Sequence, residues 1–309
     1  MKILLTVDDS IYSEAACDAL LARIWPPKSN FKIISVLDES EAPKSTQSGL
    51  TSAGGATLPG GLEAVQQLLK RISAQLQQKF PDADVTHEVL YGNSKDKILD
   101  CATKWSANLI VAGSHGRTGL TRILLGSVSQ TILLYGQCST LIVRLPKPEQ
   151  EVNDTNKSPQ RVLIPLDLSE HSQKALDWVL SLEWSDECKF KILTVLPPLA
   201  DKFSDGFALL QDEALSAERV HFRKKAQQSI DDNKARLAQK YGAERISTDL
   251  LEGDAGETIL SIANNWPASL IVMGTRGHGW LKRLWLGSTS QEVVLQAPCS
   301  VEVIKRNPT

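Results

Sequence analysis

Two short sets of residues carry side chains and backbone suited to gripping a phosphate, and the chain holds each set twice. Gly113, Gly116, Gly126 and Ser127 fit a G-x-x-G-x9-G-S spacing, and Gly274, Gly277, Gly287 and Ser288 repeat it with every position displaced by 161 residues. Glycine permits positive φ and close approach of backbone to a ligand. A serine that opens an apolar stretch marks a helix start, with Gln130 and Gln291 three residues further on, a capping-box spacing. A helix start offers unpaired N–H donors and the positive end of the helix dipole, and both suit an anion such as phosphate. An acid joins each set: Asp8 and Asp167 follow the first apolar run of their halves, with Ser10 and Ser169 two residues on.

The surrounding pattern supplies the elements that would bring these residues together. LIVA and LIVM run unbroken into Gly113 and Gly274. Such runs read as strands buried on both faces of a parallel sheet. Each half then reads as five strands alternating with four helices, which predicts a parallel sheet covered on both sides. In such a sheet ligands bind beyond the carboxyl ends of the strands, where strand order reverses. With strands one and four adjacent, the acid and the glycine loop would share one crevice and hold a nucleotide.

Composition narrows the classes. A length of 309 residues predicts about two domains: residues 1–146, a linker at 147–160, which is polar and proline-flanked, and residues 161–306. A net charge of −2 and an isoelectric point near 6.2 leave no electrostatic footprint for nucleic acid. No apolar run approaches the roughly 20 residues that span a membrane. The N-terminus lacks the pattern of a secretory signal, and five scattered cysteines form no C-x-x-C, so a cytoplasmic protein with reduced thiols is expected. No P-loop, no G-x-G-x-x-G after the first strand, no G-x-S-x-G and no histidine pair at metal-ligand spacing occurs. No catalytic residues and no metal ligands are therefore assigned. Residues 43–61, rich in Ser, Gly and Thr, read as a surface insertion or a lid. The charged stretch 206–240 reads as a solvated helix face with pairs along the helix.

The doubled G-x-x-G-x9-G-S after a LIVxG strand, with D-x-S after the first strand, resembles the universal stress protein family, over nearly the whole chain outside the linker. The resemblance implies an α/β fold of two tandem five-stranded parallel-sheet Rossmann-like domains, of the adenine nucleotide alpha hydrolase-like kind, forming a pseudo-dimer. It implies ATP as ligand, with or without Mg²⁺, and ADP or AMP as alternative occupants. Carried over by position, Thr6, Val7 and Asp8, or Pro165, Leu166 and Asp167, would meet adenosine, with Val36 or Val195 against the base. Gly113, His115, Gly116, Gly126, Ser127, Val128 and Ser129 would meet ribose and phosphates. Their counterparts are Gly274, Arg276, Gly277, Gly287, Ser288, Thr289 and Ser290. The first half departs from the family pattern in following Asp8 with Asp9, and His115 is replaced by Arg276 in the second copy, so the two sites need not be equal. The expected role is an ATP-holding regulatory module of the stress response; the alternatives are a slow ATPase and a dimerisation module with empty sites. Pairing of the last strands of the two halves is expected from their apolar edges. A homodimer of the tandem chain and the identity of any protein partner stay open.

Overall fold

A computed structural model describes residues 1–41, 60–115, 125–145, 160–198, 212–275 and 286–305. The chain divides into two compact units, one within Met1–Leu145 and the other within Pro146–Asn307. The first contains β1 (Lys2–Thr6), α1 (Ile11–Leu21), β2 (Asn30–Leu37), α2 (Gly60–Lys79), β3 (Val85–Tyr91), α3 (Ser94–Lys104), β4 (Leu109–Gly113), α4 (Ser127–Tyr135) and β5 (Ser139–Val143). The second repeats the series as β6 (Arg161–Pro165), α5 (Glu170–Ser181), β7 (Lys189–Leu196), α6 (Asp212–Tyr241), β8 (Ile246–Glu252), α7 (Ala255–Asn265), β9 (Leu270–Gly274), α8 (Ser288–Gln296) and β10 (Ser300–Ile304).

Strand order in the first unit is β3-β2-β1-β4-β5, all parallel, and in the second β8-β7-β6-β9-β10. The central pairing sets Ile3 against Leu109 and Leu5 against Val111, and Val162 against Leu270. Order therefore reverses between β1 and β4, and between β6 and β9, which opens a crevice at the strand tips. Every residue of β4, β5 and β9 is buried, as the apolar runs require of strands covered on both faces. Aromatic pairs close the opposite end of each sheet. Phe31 stacks on Phe80 at 5.2 Å between centroids, and Phe190 on Tyr241 at 4.8 Å; the Tyr241 hydroxyl also donates to the buried carbonyls of Val179 and Leu182.

Two expectations give way. The glycines that end β4 and β9 do not take positive φ; among the described residues the glycines that do are Gly92, Gly242 and Gly253. Gly113 and Gly274 are needed for closeness instead: a Cβ would lie 2.7 Å from the Tyr12 Cβ in the first unit and 2.5 Å from the His171 carbonyl oxygen in the second. The first turn of α1 or α5 thus rests directly on the strand tip. The charges of α6, read as pairing along the helix, reach mainly to other elements. Arg219 and Arg223 both meet Glu252 at the end of β8, Arg236 meets Asp177 on α5 at 2.6 Å, and Lys240 meets Glu183 at 2.9 Å. The stretch 43–59, the linker 147–159 and the first residues of the charged stretch, 206–211, lie outside the described residues.

Candidate functional site

The acid at the tip of β1 first serves the chain itself. Asp8 Oδ1 accepts from Ser10 N–H at 3.1 Å, the Ser10 hydroxyl at 2.5 Å and the Ser13 hydroxyl at 2.7 Å. Ser10 is the N-cap of α1, its hydroxyl accepting from Ser13 N–H. Asp167 and Ser169 rebuild the turn ahead of α5, with 3.2 Å and 2.5 Å bonds onto Asp167 Oδ1. The D-x-S spacing is therefore a helix-start device. With Oδ1 engaged in this way, Asp8 also stands in the wall of the strand-tip cavity.

The glycine loop is pinned at its neck. Gly126 N–H donates to Ser114 O at 2.8 Å, and Gly287 N–H to Thr275 O at 2.7 Å. Ser129 donates its hydroxyl to Gly113 O at 2.6 Å and Ser290 to Gly274 O at 2.9 Å, so both hold helix to strand. The capping box expected at Ser127 and Ser288 is corrected by one residue. Gly126 and Gly287 are the N-caps, the serines begin the helices, and neither helix has a side-chain cap. The reason is that strand and loop set the entry angle through the Gly126–Ser114 bond, which takes up the residue ahead of the serine. The consequence is functional: the first N–H groups of α4 and α8 keep no side chain of their own to satisfy them. At φ −59° and ψ 148°, Gly126 adopts backbone open to any residue, so its lack of a side chain is not demanded by conformation.

In the first unit a cavity of about 310 Å³ lies between these groups. Thr6, Val7 and Asp8 from the β1 tip, Val36 from β2, Gly113 and His115 from the β4 side, and Gly126 to Ser129 at the α4 start all line it. Sequence reasoning passed over Ser94 and Ile98 from the first turns of α3, Asp38 and Glu41 just beyond β2, and Ala112. The amphipathic pattern of α3 was visible, but which turn overhangs the crevice follows from the crossover. The cavity has an apolar end built of Val7, Ile34, Val36, Ile98 and Ala112, and a polar end at the helix start.

In the second unit the corresponding cavity is about 100 Å³. Pro165, Leu166, Asp167, Val195, Gly274, Thr289 and Ser290 line it, together with Ser172, Leu193, Ala255, Ile259 and Met273. Gly287 and Ser288 are not in its lining. Gly116, Arg276 and Gly277, with the loop residues Arg117, Arg122, Trp280, Lys282, Arg283 and Trp285, lie outside the described residues.

His115 is one of three titratable groups, with Asp38 and Glu41, that line the first cavity and have no counterpart in the lining of the second. Burial, and secondarily the charge of Arg144, hold its pKa below the usual histidine value, so the neutral ring prevails at pH 7. Its Nδ1 is 3.1 Å from the Ser114 hydroxyl, its ring leans on Tyr12 at 5.0 Å, and its buried Nε2 has no hydrogen-bond partner among the described residues. No group of three or more potential metal ligands occurs among the described residues, and none of their helices is long and apolar enough to cross a membrane.

Comparison with known proteins follows the duplication. The sequence model of the universal stress protein family matches residues 1–144 and again 159–305. A universal stress protein of Thermus aquaticus is 31% identical over 144 residues, covering 47% of this chain and 97% of its own. One from Methanocaldococcus jannaschii is 35% identical over 101 residues, 31% of this chain and 59% of that protein, so here the chain spans little more than half of its relative. Among solved structures, a universal stress protein from Archaeoglobus fulgidus aligns over 99% of this chain and 98% of its own at a TM-score of 0.59 and 20% identity, a likeness of fold. With both halves matched by the family model and both folded as its parallel-sheet unit, this chain belongs to the universal stress protein family, as a tandem of two such domains.

Proposed function

We propose that this tandem protein is an adenine-nucleotide-holding regulatory module of the stress response, working in the cytoplasm, with ATP as its ligand. The supporting observation is the uncapped start of α4, set across the β1–β4 switch point from Thr6, Val7 and Asp8. The polar end suits phosphates: backbone N–H groups face a position that no side chain of the helix start fills. The apolar end, with Val36 on one wall, suits a purine, and Asp8 suits ribose hydroxyls. Gly116, Arg276 and Gly277 join the proposed phosphate contacts by position in the motif, and Thr289 and Ser290 serve the second half. Mg²⁺ would travel with the nucleotide rather than reside on the protein. Binding is favoured over catalysis because the described cavity brings together no nucleophile, base and orienting partner.

The test is the small molecule released when the purified protein is denatured, combined with calorimetry on added ATP. ATP recovered intact, and loss of one binding event per chain in Gly126→Val, are expected; Val tolerates the backbone at that position while its side chain fills the phosphate position. Accumulation of ADP would assign hydrolysis instead. No nucleotide released and no heat on titration would leave a dimerisation module with empty sites.

A further inference from the structure

The cavities differ in volume, 310 Å³ against 100 Å³, and also in extent: the first takes in Leu37, Asp38, Glu41, His115, Gly126 and Ser127, which have no counterpart in the lining of the second, so the two are compared at the wall they share. Most apolar wall positions match in bulk: Ile98 and Ile259, Val36 and Val195, Ile34 and Leu193. The step comes beside the glycine that ends the central strand. Ala112 stands there in the first unit and Met273 in the second, 2% and 5% exposed, each in the cavity wall. Leu166 in place of Val7 adds a further methylene. Among the shared wall positions only Ser94, matched by Ala255, loses a heavy atom in the second unit, and the loss of one hydroxyl does not offset the larger Met273 and Leu166. The thioether chain of Met273 therefore fills space that the first unit leaves open at the apolar end of its cavity, the end suited to a flat ring.

We propose that Ala112 and Met273 set the size of ring that each half admits: the first half takes an adenine ring enlarged at its edge, and the second takes the plain ring alone. This rests on the adenine-nucleotide reading above. A methylene at the wall of an apolar pocket changes selectivity by about 10–200-fold, and here the side chain grows by several heavy atoms.

The experiment is calorimetry on the full chain with ATP, N6-benzyl-ATP and 2-methylthio-ATP, each variant checked for an intact thermal transition. The expected result is two ATP per chain, but one equivalent of at least one analogue. Ala112→Met should then lower the ratio of analogue to ATP affinity by at least about tenfold, and Met273→Ala should raise analogue stoichiometry to two. ATP bound twice with both analogues refused, or both analogues bound at both halves of the unaltered chain, overturns the size rule and leaves nucleotide binding standing. Analogue stoichiometry that ignores Met273→Ala also overturns it. Absence of ATP binding removes the nucleotide reading itself, and the size rule with it.

Discussion

Substituting Gly274 by alanine separates the structural use of the motif glycines from their use toward a ligand. The added Cβ would stand 2.5 Å from the His171 carbonyl oxygen, 2.6 Å from its carbon and 3.0 Å from Ser172 N. Carbon contacts are comfortable at about 3.5–4.0 Å, so the overlap is about 1 Å, and all three atoms belong to backbone. No rotamer change relieves it. Either the first turn of α5 lifts, straining the Ser169 cap and the Asp167 bonds, or the β9 tip bends away from β10, where Gly274 is in register with Ile304. Overpacking of this kind costs about 1–3 kcal/mol, which for a unit of this size lowers the melting midpoint by roughly 3–12 °C. Gly113→Ala meets Tyr12 at 2.7–2.8 Å and should cost somewhat less. Gly126→Ala is the control: its backbone suits any residue, and an alanine N-cap should stay within about 1 kcal/mol of the glycine. Denaturant unfolding followed by circular dichroism reads all three. A Gly274→Ala protein as stable as its parent would refute the close-packing account and return that glycine to the ligand.

The depressed pKa of His115 makes a pH prediction whose sign is fixed. A group that is harder to protonate folded than unfolded adds stability above its unfolded value, near 6.5, and that stability is lost as pH falls through the folded value. Unfolding midpoints compared between pH 7.5 and 5.5 should therefore fall less in His115→Gln than in the parent; an equal fall would exclude the half-buried neutral ring as a source. For the thiols, burial and then the charge of Asp18 push Cys17 up to about 11, and Cys138, Cys188 and Cys299 are buried as well. Cys101, half-buried, should react first with an aromatic disulfide reagent at pH 8, a phase that Cys101→Ser removes, while unfolding should release all five thiols. Rapid reaction of several thiols in the native protein would contradict the packing of β5 and β10 against their helices.

How much was legible in the chain depended on whether the signal was local. Alternating runs of apolar strand and amphipathic helix gave the element order, because burial on one face or two leaves its period in the sequence. The doubled glycine and acid spacings indicated where a ligand would meet the sheet, and the shared 161-residue displacement revealed the duplication. Cap positions were less legible. Ser127 and Gln130 have the spacing of a capping box, yet Gly126 takes the cap because its N–H is drawn to Ser114 across the loop neck, a bond no local pattern announces.

Sequence alone therefore determined the fold, the doubling and the residues that line the strand-tip cavity of the first unit from β1 and the start of α4. Tertiary structure decided what the motif residues do there: Asp8 ties the start of α1, Gly113 yields room to Tyr12, and the α4 start is left without a side-chain cap. It also decided that Ala112 and Met273 face cavities of different size. The physical reason is distance along the chain. Ile3 and Leu109 pair directly although 106 residues separate them, and a cavity wall assembled from five such distant segments has a volume that no single segment encodes.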